Sequence, residues 1–512
     1  MLIKKTSVKA TELGAGGCIA TSRVYQVHWL ALLGGVFFLP CTGFAETGQG
    51  DDAVFVEPPA QDLRSRLTER EDETRVERPW TRLIFGHPLS ATVQYELSVG
   101  RVRQRMEDNP PDRETRSLLE QEAEAEFFYT LGPQLSFLAQ ARASMEKNFL
   151  RNVQQGSDSF FERGEMWLYA QPIDDFPFTL EIGRLDFEDD RRWWWDEDLD
   201  ALRITAQSAS IELTLAVARE LGPTRSDRSF VEAEKEAVQR LIVEAAWDLN
   251  ADHSIHLFTL VHDDRSRSPQ VGESVDSNRE DDSDAQLTWH GARATGAWAS
   301  KPNGALGYWI DAAALRGTET VVSLDPLSRE AGERIERDVR GWAFDLGATW
   351  VVPVAFDPRF TVGYALGSGD SNAADACDCA FRQTGVQSNM RGFGGVQSFA
   401  GYGALLDPGL SNLAILTAGV GVSLFAASSL DFVYHDYRQV EPTNSLRNAR
   451  LNASLTGQGR DLGYGLDAVL AVEEWDRFQL EASASAFRAG TAFGIQHGQW
   501  TFGGFVALRV AF

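Results

Sequence analysis

Glu120, Glu122, Glu124 and Glu126 stand at alternate positions of one segment, interleaved with Ala123 and Ala125 and followed by Phe127, Tyr129 and Leu131. In an extended chain, period two places the four carboxylates on one face and the apolar side chains on the other. A soluble sheet would leave such a face solvated, whereas a barrel must turn it toward water inside. Other residue types suited to chemistry are sparse. His256 and His262 share a strand face near Asp263 and Asp264, the ingredients of a metal site or a hydrolytic dyad. Six residues of strand separate them by roughly 20 Å, too far to share one ion. A barrel hydrolase needs a nucleophile or paired acids set against a histidine. No pattern of that kind is visible, so no enzymatic activity is expected. The acidic stretch Asp263–Asp284 offers oxygens to calcium, but without the spacing of a defined calcium loop. No other cofactor is expected. Cys377 and Cys379 form a C-D-C triplet that could pair, bind a metal or do neither. Trp193, Trp194 and Trp195 could stack on sugar rings at the pore mouth, or form an extracellular aromatic girdle or a loop anchor.

The elements that carry these residues read as strands of roughly 10 to 15 residues, separated by acidic or glycine-rich loops. At the end of the chain Phe502, Val506, Leu508, Val510 and Phe512 share one face, and Gly503, Ala507 and Arg509 the other. Ile211, Leu213, Leu215 and Val217 repeat the pattern, as do Leu241, Val243, Ala245, Trp247 and Leu249. About 18 such strands are expected between 89 and 512. Past the start of the chain no apolar run reaches the roughly 18 residues of a membrane helix. A closed barrel is the other structure that satisfies its backbone inside a bilayer. The predicted fold is therefore an all-β transmembrane antiparallel barrel of 16 to 18 strands in the outer membrane. A barrel of that size leaves an aqueous channel.

Residues 1–45 read as an export signal. Lys4 and Lys5 precede the apolar run from Trp29 to Leu39, and Gly43-Phe44-Ala45 supplies small residues for cleavage. Neither Cys18 nor Cys41 sits in a convincing lipid-attachment context. Residues 46–88 are charged and proline-punctuated and read as a periplasmic lead-in. The net charge of −26 argues against nucleic acid as a partner. Loops at 106–116, 264–284 and 369–411 exceed tight-hairpin length, a mark of functional or disordered segments. The third, rich in glycine and small residues, is a candidate plug.

Several segments in the same order resemble the alginate-export family of outer-membrane porins. They include Ile182-Gly183-Arg184, Trp194-Trp195-Asp196, Leu199-Asp200-Ala201-Leu202, Gln286–Trp289 and Phe344–Gly347. Phe381-Arg382-Gln383-Thr384-Gly385 with Ser388-Asn389, then Leu410–Leu413, carries the most weight. The resemblance implies a monomeric 18-stranded barrel that exports an anionic exopolysaccharide. It further implies an arginine-lined pore, gates formed by a periplasmic and an extracellular loop, and a periplasmic scaffold lipoprotein as partner. On that basis Phe381, Arg382, Gln383, Ser388, Asn389 and Arg391 belong to the periplasmic gate. Arg163, Arg184 and Asp196 fall at or beside pore charges. Arg509 faces inward by alternation. Arg163 shares a face with Glu165, which predicts a lumenal ion pair or a substrate contact. Arg184 shares a face with Leu180 and Ile182, and a bulge at Gly183 would turn it inward. Asp186, Met390, Phe399, Glu481 and Ser483 stand where family arginines are expected, with Arg391 and Arg488 nearby. Those departures, with the glutamate row, keep open a second function: a cation-preferring diffusion porin for small solutes.

Overall fold

The computed structural model describes residues 80–512 apart from 105–113, 133, 151–152, 172–177, 267, 276–282, 301–303, 326–327, 373–375, 452–453 and 476. The expected signal, the first part of the lead-in and most of the 106–116 loop lie outside the described residues. In chain order the first strands are β1 (Trp80–Ile84), β2 (His87–Gln104), β3 (Glu114–Gly132), β4 (Leu135–Leu150), β5 (Val153–Ala170) and β6 (Phe178–Glu188). They are followed by β7 (Asp196–Gln207), β8 (Ile211–Ala218), β9 (Gln239–Asn250), β10 (His253–Asp263), β11 (Ser283–Ser300) and β12 (Gly304–Leu324). Next come β13 (Ala331–Val351), β14 (Arg359–Gly367), β15 (Cys377–Asp378), β16 (Met390–Gly392), β17 (Ser398–Ala400) and β18 (Leu413–Phe425). The last are β19 (Ser428–Gln439), β20 (Asp461–Trp475), β21 (Phe478–Ala489) and β22 (Trp500–Ala511).

Eighteen strands, β2 to β14 and β18 to β22, close into one antiparallel barrel. The seam is β2 on β22, in register from Gln94 against Ala511 to Arg103 against Phe502. Closure leaves no sheet edge inside the bilayer, where an unpaired backbone group would be costly. Alternation sets the two faces. Ile211, Leu213, Leu215 and Val217 of β8 are exposed on the outside, as are Phe502 and Leu508 of β22. Thr501, Ala507 and Arg509 are buried on the inner face.

Two features depart from the expected layout. Residues 80–84, assigned to the lead-in, form a strand that pairs Trp80 with Ala91 and Ile84 with His87. β13 is 21 residues long, beyond the expected strand length, because Arg334, Glu336 and Asp338 extend the β12 ladder with a charged stretch that lacks apolar alternation. One end of the barrel carries short connections such as 208–210, 251–252 and 426–427. The other carries 189–195, 219–238, 264–282, 368–412, 440–460 and 490–499. Short turns mark the periplasmic end and long loops the extracellular end.

Gly183 shows how local geometry meets the wall. Its φ is 137°, and a Cβ there would stand 2.1 Å from the Met166 carbonyl oxygen. A side chain is excluded both by that contact and by the backbone conformation. Gly183→Ala is expected to lower the melting temperature of the detergent-refolded barrel by several degrees. An unchanged melting curve would show that β5 and β6 separate at no cost.

Candidate functional site

The inner surface of β3 and β4 is a charged wall. Arg142 is only 1% exposed; it donates to Glu124 at 2.6 Å and approaches Glu162 and Asp198 at 3.9 and 3.8 Å. Ser144 donates to Glu122 at 3.2 Å. These contacts place the row Glu120, Glu122, Glu124 and Glu126 on the inside, with Phe127 and Leu131 exposed outside. Arg509 also faces the lumen, where it donates to Glu96 across the barrel seam at 2.5 Å.

Beyond this wall the distal half of the β6–β7 hairpin leaves the barrel and folds inward. β6 pairs with β5 only as far as Arg184 against Met166, although it continues to Glu188. β7 begins at Asp196 but pairs with β8 only from Ala201. The residues released from the wall, Leu185, Phe187, Trp193, Trp194, Trp195 and Leu199, are all buried in the central apolar cluster. Trp194 stacks on Phe258 of β10, with ring centroids 4.9 Å apart, and Trp193 stacks on Phe381 at 6.3 Å. The three tryptophans therefore anchor a loop inside the lumen rather than forming an interfacial girdle. Gly291 of β11 makes room, since a Cβ there would lie 2.2 Å from the Trp194 ring.

The gap left in the wall is filled from the β8–β9 connection. The Arg163 amide donates to the Thr224 carbonyl at 3.0 Å, and the Ser226 amide to that of Phe161 at 2.8 Å. Arg163 does not pair with Glu165 as expected, because a bulge in β5 opposite Gln140 changes their relation. Instead it holds Asp200 with two bonds of 2.8 and 2.7 Å. Arg184 is not turned inward by Gly183: Leu185 and Phe187 keep the parity of Thr179 and Glu181, so Arg184 stays on the face of Leu180 and Ile182. It is buried because the hairpin has moved, and its neighbours are Glu220 at 3.6 Å and Asp200 at 3.9 Å. The Asp196 amide donates to the Val386 carbonyl at 2.7 Å, which ties this hairpin to the second insertion.

That second insertion is residues 368–412. It leaves β14 and re-enters β18 at the extracellular end, so the periplasmic placement of Phe381–Arg391 is corrected: connectivity assigns it to the long-loop side. From there the segment reaches down the lumen. The Val396 amide donates to Ser429 at 2.9 Å, next to the short 426–427 turn, and Gly394 lies against Arg359 at the start of β14. The insertion thus runs nearly the full length of the barrel. Phe381 is fully buried, and Arg382 grips Glu319 of β12 with two bonds of 2.6 and 2.7 Å. The Gln383 and Asn389 amides bond each other at 2.7 and 3.1 Å. The Ser388 and Asn389 backbone amides donate to the Arg192 carbonyl.

Both insertions meet at a charge node on one rung of the wall. Arg293, Asp311 and Asp345 are register partners across β11, β12 and β13. Arg191 of the hairpin donates to Asp311 at 2.9 Å and lies 3.3 Å from Asp345. Arg293 donates to Asp311 at 2.6 Å and also binds Asp189. Arg391 of the long insertion binds Asp345, which also accepts from Tyr402 and from the Trp309 indole, both at 2.8 Å. Three guanidinium groups thus face three carboxylates, all buried, which is how buried charge is tolerated. Burial pushes the Asp189 carboxyl up, but Arg293 and the Trp194 and Trp195 amides outweigh it and hold it low. Its grip is therefore complete at neutral pH and is lost only as pH falls through the lowered value, below the ordinary carboxylate range.

Arg142, Arg191, Arg293 and Arg359 were not singled out from the sequence. Alternation around Trp309 and Asp311 could have flagged the rung, but nothing local pairs it with Arg191 or Arg391. Of the departures from family arginines, Met390 and Phe399 pack together in the plug, and Glu481 accepts from Gln397 at 2.9 Å. Among the described residues no three histidine, cysteine or acidic side chains are grouped to hold a metal ion. In the 263–284 stretch, Asp264 and Asp284 accept from Ser266 and Ser268. The sulfurs of Cys377 and Cys379 stand 2.7 Å apart without a disulfide between them.

A closed, lipid-facing barrel with a polar, partly filled lumen defines a bacterial outer-membrane channel. The solved structures of OccK8 (OprE) and OccD3 (OpdP), both from Pseudomonas aeruginosa, share its fold. TM-scores are 0.51 for each, at 10% and 11% identity, covering 83% and 85% of this chain and 98% and 95% of theirs. The profile of the family described as alginate export matches residues 68–501, and the chain belongs to that family. It is 27% identical to the alginate production protein AlgE of Pseudomonas aeruginosa over 61% of this chain and 64% of that protein. Against AlgE of Pseudomonas syringae pv. tomato the identity is 22%, over 56% and 57%. The chain thus spans less than two-thirds of the length of either relative.

Proposed function

We propose that the barrel is a monomeric outer-membrane conduit for export of an exopolysaccharide of the alginate kind, captured here in a plugged state. The observation that carries this reading is the pair of lumenal insertions in a chain of the alginate-export family. They fill a channel wide enough for a polymer and are held by ion pairs that a charged chain can exchange with. No bond is made or broken and no cofactor is needed; pore charge, width and the plug do the work. A periplasmic scaffold lipoprotein would dock at the short-turn end, near β1. The polymer's carboxylates would meet Arg293 of the barrel wall by bidentate hydrogen bonds once the insertions withdraw.

A second reading has its own support. The Glu120–Glu126 row faces the lumen and favours cations, as in a diffusion porin for small solutes. Ion selectivity in a planar bilayer under a salt gradient separates the two. Once residues 386–409 are removed, the exporter should pass current that polyuronate oligomers block at micromolar to millimolar levels, a range typical of transient sites. A cation-selective current indifferent to those oligomers would move the assignment to the porin.

A further inference from the structure

The cleft between the displaced β6–β7 hairpin and the β8–β9 connection carries polar groups that the protein itself leaves unsatisfied. Arg184 is 5% exposed, yet its Nε and Nη1 have no hydrogen-bond partner, and neither has Oε1 of Glu220, also 5% exposed. The two side chains face each other at 3.6 Å, and Lys235 stands 3.9 Å from Glu220 while bonding Glu197 at 2.8 Å. They border a cleft at the extracellular end, whose rim bears Phe230, 70% exposed. Asp200 fixes the floor: it takes both Arg163 bonds and the Leu221 amide at 2.8 Å.

A guanidinium only donates and a carboxylate only accepts, and leaving either unmet when buried is costly. A hydroxyl does both. Adjacent hydroxyls of a pyranose would accept from Arg184 and donate to Glu220, while the apolar face of the ring packs on Phe230. We propose that this cleft is a saccharide subsite, filled by one sugar unit of the cargo as it passes the extracellular mouth. It rests on the exporter reading only for the choice of sugar. Arg225, Arg228 and Lys235 also line the cleft, offset by Glu162, Glu197, Glu220 and Glu232. A single uronate carboxylate can be accommodated there but is not required.

The test is fluorescence anisotropy of end-labelled mannuronate and maltose hexasaccharides against the full chain in detergent. Saturable binding of either sugar, weakened at least about tenfold in Glu220→Gln and in Phe230→Ala, is the expected result. Binding of the uronate alone assigns a share to the basic side chains; binding of both assigns the affinity to the hydroxyls. No saturable binding, or equal binding by wild type and Phe230→Ala, would overturn the subsite and leave water as the occupant. Phe230 is exposed, so its variant keeps the test valid if Glu220→Gln fails to fold. Export is read separately as oligosaccharide block of the bilayer current, so a blocked channel without anisotropy change rejects the subsite alone.

Discussion

Excising residues 386–409 and bridging the ends with a short glycine–serine linker is expected to convert a nearly silent barrel into a conducting one. An open barrel of this strand number leaves an aqueous channel, so single-channel conductance should rise at least about tenfold. The wall should survive the excision. β14 pairs with β18 over nine positions, from Arg359 against Gly421 to Gly367 against Leu413, and the excised residues contribute nothing to that ladder. The excision removes Met390, Phe393, Phe399 and Tyr402 from the lumen, together with the Arg391 bond to Asp345. The hairpin would remain, held by Arg191 and Arg293 and by Trp194 against Phe258. Conductance no higher than that of the intact chain would therefore assign the seal to the hairpin.

The second large effect is expected from Asp345→Asn. Asp345 is held from both insertions: Arg391 and Tyr402 donate to it from the long segment, and Arg191 of the hairpin lies 3.3 Å away. Neutralising it leaves three buried arginines against two carboxylates. Removing one partner of a buried pair costs about 3–5 kcal/mol. That cost falls on the plugged state, because an open lumen returns Arg191 and Arg391 to water. At about 1.4 kcal/mol per factor of ten, the closed-to-open ratio should fall by two to three orders of magnitude. Bilayer recordings would show frequent openings where wild type is mostly closed. The contrasting control is Glu319→Gln, which loosens Arg382 near the mouth but leaves the node intact. If both variants behave alike, the node has no special hold on the plug.

How much was legible beforehand divides along the range of the interactions. Period-two alternation is a property of neighbouring residues, so the sequence alone determined an outer-membrane barrel, its approximate strand number and its lipid-facing side chains. It also determined that Arg509 and the Glu120–Glu126 row point the other way, because one register serves a whole strand. The length and composition of 369–411 marked a candidate plug before any contact was known. Tertiary structure alone decided where the wall opens. The displacement of the β6–β7 hairpin reverses the meaning of its faces, and so buries Arg184 against Glu220 although local parity points it to lipid. It decided as well that the Phe381–Arg391 stretch enters from the extracellular end. The charge node lay furthest out of reach. Asp189 and Arg293 are 104 residues apart in sequence, and a buried ion pair obeys distance in space rather than spacing along the chain.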